Sequence, residues 1–528
     1  MGRGLLASFL IAVTVFGPGN TRAEDLSGPL LETGIPVTAP LAGGAGVYRI
    51  TASPGDYIAG EIQGSGAALT ADLLFPDGSH FRRIAEAATG RTRFQIVSES
   101  EGLLLRISGS GTARVQIDAR VTPADQQPAP AAYLSPRIEA LADHLAAGGS
   151  AEAFWQEVAA QGTPLVETID GQSVMTFLWR GASRNVRLLG GPANDHIWLA
   201  RLAESDVWFA SFKVPPATRL AYQLAPDVPD IPGTPRTRRG ALLATAQVDP
   251  LNLNPAPGNA PDRFALESTI ALAAAPEQPG TPPAPDADPL ITSFTFASTQ
   301  LGNSREITIS HPRGLDPSDP QAVLLFLFDG EKALSEIQAP QMLETLTREG
   351  RLPPVVAVLI PSIDTETRSR ELPGNDAFAD ALARELLPEV LTRTGLRHDP
   401  ARTVLAGASY GGLASAWVAM RHPEAFGNVL SMSGSFWWAP EGADTDGTPF
   451  VAARIAAAPP LPLRFFLSAG TFETGREATA GILETSRILR DTLRMKGNTA
   501  LWREYAGGHD YVIWRGALAD GLIALFGQ

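Results

Sequence analysis

Residues 407 to 412 read Gly407-Ala408-Ser409-Tyr410-Gly411-Gly412, between the apolar run Thr403-Val404-Leu405-Ala406 and a helical stretch, Leu413 to Met420, that Pro423 closes. A chain can pass from buried strand to helix through so short a turn only if neighbouring backbones approach closely. Glycines are needed where a Cβ would collide, and the serine between them is held in a strained conformation. The G-x-S-x-G pattern is common by itself; its strand-turn-helix setting makes it a nucleophile elbow. The expected fold is therefore an α/β hydrolase, a mainly parallel sheet flanked by helices, with Ser409 as the candidate nucleophile.

In that fold the acid and then the histidine follow the serine along the chain. Seven histidines are present, and His509 lies late, in Ala506-Gly507-Gly508-His509-Asp510-Tyr511, after the strand-like run Ala500 to Tyr505. Its position on a glycine-bearing loop makes it the candidate base. His422, in Arg421-His422-Pro423, reads instead as a helix C-terminal residue suited to the helix dipole. The candidate acid is Glu473, just beyond the buried-type strand Leu463 to Ala469. A carboxylate there would accept a hydrogen bond from the imidazole and fix its tautomer. Glu477, four residues on, and Asp510, beside the histidine, remain alternatives. Two backbone N–H groups must hold an oxyanion. Tyr410, next after the nucleophile, supplies one. Glu331, in the Asp329-Gly330-Glu331 turn after the apolar run Val323 to Phe328, is the candidate for the other.

Phe326 to Glu331, Arg368 to Leu372 with Asn375 and Phe378, the elbow, Ser431 to Trp438, and Gly507 to Asp510 with Trp514-Arg515-Gly516 together resemble the enterochelin (enterobactin) esterase family. The double tryptophan after Ser433-Gly434-Ser435 and the His-Asp…Trp-Arg-Gly ending discriminate best within the wider group similar to esterase D, feruloyl esterases and mycolyltransferases. The resemblance is strong over about 290 to 528. It continues upstream through Phe154-Trp155, Thr176 to Gly181, Asp206 to Phe209, Arg219 to Tyr222 and Asp249 to Asn252. It implies Ser409, His509 and Glu473 as nucleophile, base and acid, and a role for Arg368 in shaping the substrate cleft. Residues 24 to 122 match nothing in a minimal member.

The amino-terminus has Arg3, an apolar stretch from Leu5 to Phe16, and Thr21-Arg22-Ala23 as a small-residue cleavage site, so 1–23 reads as a secretory signal. The stretch is too short to span a bilayer, which takes about 20 residues, and stable membrane insertion is not expected. Cysteine is absent, which excludes disulfides and thiolate metal sites. Export together with the resemblance points to the periplasm. The formal charge of −14 argues against nucleic acid as a partner. It also means that an anionic substrate would need local arginines. Arg368, Arg370 and Arg515 are the candidates, with Trp437 and Trp438 to stack on an aromatic ring.

Short alternating runs at 46–51, 57–62, 71–75, 93–97, 103–107 and 113–117 predict an accessory β-sandwich over 24–122. A second β-rich domain is expected over 133–260, then a proline-rich linker, 261–289, extended and semi-rigid. The catalytic domain, 290–528, should open with a hairpin pairing Ile291–Phe296 with Glu306–Ser310. The expected activity is hydrolysis of the esters of a catecholate tri-ester siderophore of the enterobactin type, in its ferric form, without a cofactor, metal site or evident protein partner. A secreted feruloyl or acetyl carbohydrate esterase with the same triad is the alternative. Because every candidate catalytic residue lies beyond Val323, small-ester chemistry is expected to need nothing upstream.

Overall fold

The computed structural model describes residues 28–527 except 42–43, 66–67, 127–132, 194–195, 257–259, 444–446 and 476–478. The signal-like segment 1–23 and the alternative acid Glu477 lie outside the described residues. The chain divides into two compact units, up to Ala132 and from Tyr133 onward.

The first unit is a sandwich of a five-stranded and a four-stranded sheet. All six strands expected from alternation are present. The strands Leu30–Leu31, Val37–Pro40 and His80–Ala88 were not foreseen. The last of these interrupts its apolar residues with Arg82-Arg83 and ends in an alanine-rich stretch, so it gives no alternation signal. Tyr48, Ile58, Ile62, Leu73, Leu105 and Val115 form the core between the sheets.

The second unit holds both the upstream β-rich region and the hydrolase sheet. Eight strands build the latter: β1 (Leu290–Ser298), β2 (Asn303–His311), β3 (Val323–Phe328), β4 (Val355–Ile360), β5 (Thr403–Ala408), β6 (Asn428–Met432), β7 (Arg464–Gly470) and β8 (Thr499–Tyr505). Their order is β1-β2-β4-β3-β5-β6-β7-β8. β1 and β2 form the expected hairpin, with Ile291 opposite Ser310, and β2 runs antiparallel to β4. From β4 to β8 every pairing is parallel.

Strands buried on both faces read as continuous apolar runs, because successive side chains enter different layers. In β3, Leu324, Phe326 and Phe328 enter one layer and Val323, Leu325 and Leu327 the other. The first layer is covered by α3 (Tyr410–Arg421) and α4 (Ile482–Met495), through Leu413, Ala416, Leu489 and Leu493. The second is covered by α1 (Ala339–Arg348) and α5 (Tyr511–Phe526), through Met342, Leu346, Leu518 and Leu522. A helix with apolar residues on nearly every face, as in α5, belongs in an interior. The remaining helix used below is α2 (Thr365–Glu371).

Two expectations about organisation need correction. Glu267–Ala271, assigned to the linker, is a strand paired with Arg219–Pro226 of the upstream domain. Nor is the proline-rich stretch a free spacer. Pro276 O accepts from Arg219, Ala284 N–H donates to Thr345 of α1, and Gln278 is buried against Val512 and Arg515. Proline density predicts an extended backbone but says nothing about what that backbone lies against.

Candidate active site

The candidate residues converge because each follows the carboxyl end of a parallel strand, the edge where α/β sheets gather function. Ser409 follows β5 with φ 58° and ψ −122°, a strained position for a residue bearing a Cβ. A Cβ at Gly407 would lie 2.6 Å from the Gly411 backbone, and one at Gly412 2.6 Å from Ser431 Oγ. Those two contacts are the reason for glycine on both sides of the turn.

Glu473 follows β7 and is 1% exposed. Its Oε1 lies 2.5 Å from His509 Nδ1. Its Oε2 accepts from Gly470 N–H at 2.6 Å and from the Ser433 hydroxyl at 2.7 Å. The imidazole is partly exposed and therefore open to a ligand, while its carboxylate partner is sealed from water. Ser409 Oγ is 3.2 Å from Ser435 Oγ, its hydrogen-bond partner among the described residues. A resting nucleophile often meets its base only when substrate is bound.

Asp510 is not the imidazole's partner. It caps α5 through Ile513 N–H and accepts from Ala221 N–H of the upstream domain. Burial lifts its carboxyl to about 6, and the nearby Glu473 charge adds to the rise. The upstream domain touches this loop again where Arg219 N–H donates to Ala506 O at 2.9 Å. Phe472, beside Glu473, packs on the upstream core of Met175, Phe177 and Tyr222. Both loops that carry the acid–base pair thus rest on the domain expected to be dispensable.

Tyr410 and Glu331 stand in the first turns of helical segments, where backbone N–H groups lack intrahelical acceptors. The two turns adjoin, since a Cβ on Gly411 would sit 3.2 Å from Phe328 Cβ and 3.6 Å from Asp329 Oδ2. Asp329, at φ 54°, receives both arms of the Arg368 guanidinium, at 2.7 and 2.8 Å, and the Ser362 hydroxyl. Arg368 also lies 5.8 Å from the Tyr410 ring. It therefore braces the turn bearing Glu331 against the elbow, and its charge is taken up by Asp329.

Arg515 is a correction. Its guanidinium donates to Gln278 at 3.0 and 3.2 Å, and burial, with Arg219 nearby, disfavours its charge. It fastens the proline-rich segment. Arg370 is exposed, and among the described residues its guanidinium makes one long hydrogen bond, to Thr367 at 3.4 Å. The tryptophan pair divides. Trp437 is 51% exposed with its ring 6.1 Å from Tyr410, while Trp438 packs on Phe450 and over Gly374. Among the described residues there is no group of three or more potential metal ligands, and no helix long and apolar enough to cross a membrane.

Two known protein families match stretches of the chain. The family described as "Putative esterase" matches residues 298–525, and the family "Enterochelin esterase, N-terminal" matches 174–281. The chain is 35% identical to the iron(III) enterobactin esterase of Dickeya dadantii over 412 residues, covering 70% of this chain and 92% of that protein. It belongs to the enterochelin esterase family. Another relative, the iron(III) salmochelin esterase of Escherichia coli, is 31% identical over 74% of this chain and 98% of its own length. Among solved enterochelin esterases, the Salmonella typhimurium ferric enterobactin esterase superposes with a TM-score of 0.58 at 32% identity, covering 71% of this chain and 98% of that one. The Shigella flexneri enterobactin esterase, solved in the presence of enterobactin, gives 0.57 at 31% identity, covering 71% and 97%. Membership fixes the reaction type as serine ester hydrolysis.

Proposed function

We propose that the protein hydrolyses the backbone esters of a tri-catecholate siderophore of the enterobactin class, in the periplasm, with Ser409, His509 and Glu473 as its triad. One observation carries the reading of the site. A buried carboxylate lies 2.5 Å from the Nδ1 of a ligand-accessible imidazole, on the same sheet edge as a serine at φ 58°. Glu473 holds Nδ1–H, so Nε2 carries the lone pair that takes the proton from Ser409 as Oγ attacks the ester carbonyl. The N–H groups of Tyr410 and Glu331 receive the oxyanion. As the ester C–O bond breaks, the imidazolium protonates the departing serine alkoxide of the siderophore, which leaves as a hydroxyl. A water deprotonated by His509 releases the acyl group and regenerates Ser409. Iron arrives with the siderophore as part of the substrate.

The names of the relatives and their solved complexes support the substrate class. The signal-like residues 1–23 support the location. Trp437 stands where a catechol could stack beside the elbow, and Arg370 offers a charge to the anionic ferric complex. The test is Ser409→Ala. It should bind the siderophore with affinity close to that of the parent and release no product, because only one hydroxyl is lost. Turnover near the parental rate would refute the assignment.

A further inference from the structure

Ser433 and Trp514 touch none of the reacting atoms, yet both contact the acid–base pair. Ser433 is 1% exposed and sits at φ 47°, with its N–H on Ser468 O at 2.8 Å. A non-glycine residue is strained at such a φ and stays there only because the surrounding structure fixes it in place. Its hydroxyl donates to Glu473 Oε2 at 2.7 Å and accepts from Trp514 Nε1–H at 3.0 Å. These directions have no alternative, since the indole is donor-only and an ionised carboxylate acceptor-only. The Trp514 ring, 5% exposed, then meets the His509 ring at 90° with centroids 4.7 Å apart.

We propose that Ser433 and Trp514 are positioning residues that close a ring of contacts, His509 to Glu473 to Ser433 to Trp514 and back to His509. This rests on Glu473 and His509 being the acid and base. Gly470 N–H alone would anchor one carboxylate oxygen and leave the group free to pivot about it. The Ser433 hydroxyl removes that freedom. The indole orients the hydroxyl and fixes the plane of the imidazole. The ring also gives a physical reason for the Ser-Gly-Ser segment after β6 to accompany the His-Asp…Trp-Arg-Gly segment, which is separated from it by 81 positions.

The test uses Ser433→Ala, Trp514→Phe and the double variant of the full chain, with phenylalanine preserving most of the buried ring. On a small aryl ester Ser433→Ala should lower kcat by about 10- to 100-fold, the scale of one hydrogen bond to a charged group, and Trp514→Phe by about 2- to 10-fold, the scale of a bond between neutral groups, each with KM nearly unchanged. The double variant should lose no more than the worse single one, because both break the same ring. Proton NMR of the parent should show a far-downfield His509 Nδ1–H resonance that moves upfield in both variants. Losses that multiply, losses that fall on KM, or a resonance unmoved in both variants would each overturn the proposal. Absence of that resonance from the parent would instead strike at the acid–base assignment beneath it.

Discussion

Replacing Glu473 by glutamine tests the acid through the hydrogen-bond directions around it. One oxygen faces His509 Nδ1, and the other faces Gly470 N–H and the Ser433 hydroxyl. An amide has one acceptor end and one donor end. With the amide oxygen toward the histidine, its NH2 would point at Gly470 N–H, a backbone donor that cannot turn away. A buried donor left without its acceptor costs about 1–3 kcal/mol. The opposite orientation keeps Gly470 and Ser433 satisfied and presents NH2 to Nδ1, so the imidazole must carry its proton on Nε2. That tautomer cannot accept the Ser409 proton. The corresponding aspartate-to-asparagine change in serine proteases lowers kcat about 10⁴-fold, roughly 5 kcal/mol of barrier. The expected result for Glu473→Gln is a loss of that order in kcat on a small aryl ester, with KM little changed and the fold retained. Glu477→Gln should stay within a few-fold of the parent. A Glu473→Gln loss below tenfold, or a larger loss in Glu477→Gln, would refute the reasoning.

Three further outcomes follow from the contacts described. Arg368→Ala leaves Asp329 buried without its cation, which costs about 3–5 kcal/mol for a sealed pair. Since Arg368 is 27% exposed, a destabilisation at the lower end is expected, measured by urea unfolding, together with reduced kcat from a loosened Glu331 turn. Arg370→Gln should raise KM for the ferric siderophore roughly threefold, with the effect fading as salt screens the exposed charge. It should leave KM for a neutral aryl ester unchanged, and an equal rise on both would remove Arg370 from substrate recognition. A chain beginning at Ile291 should lose activity even on small esters, by about 100-fold if the catalytic loops shift by an ångström. It would lack Arg219 and Ala221 under the His509 loop and the core on which Phe472 packs. Undiminished kcat/KM would show that those supports are not needed.

Much of the catalytic half was legible because its signals are local. β3 reads Val-Leu-Leu-Phe-Leu-Phe because both its faces are buried, and the elbow shows its glycines because backbones collide there. What stayed hidden was partnership. Arg368 meets Asp329 across 39 positions and Arg515 meets Gln278 across 237, so an arginine beside a catalytic loop looked available when its donors were already engaged. Trp437 and Trp438 are adjacent and alike in type, yet one stands exposed beside Tyr410 and the other lies half-buried against the core on Phe450. The strand Glu267–Ala271 lay near proline-rich sequence, and its pairing with Arg219–Pro226 outweighed that composition. Reliance of the catalytic loops on the upstream domain is likewise a long-range property, visible only when Ala221 and Asp510 stand side by side.

The central claim is that this triad opens the esters of a tri-catecholate. Its most direct measurement is mass-resolved product analysis of the purified protein incubated separately with ferric enterobactin, iron-free enterobactin and a feruloyl carbohydrate ester. The account predicts successive gains of one water as the siderophore passes from cyclic trimer to linear trimer, dimer and monomer. It also predicts a kcat/KM on the siderophore well above that on the feruloyl ester, and no products from Ser409→Ala. Intact siderophore alongside rapid release of ferulate would contradict it.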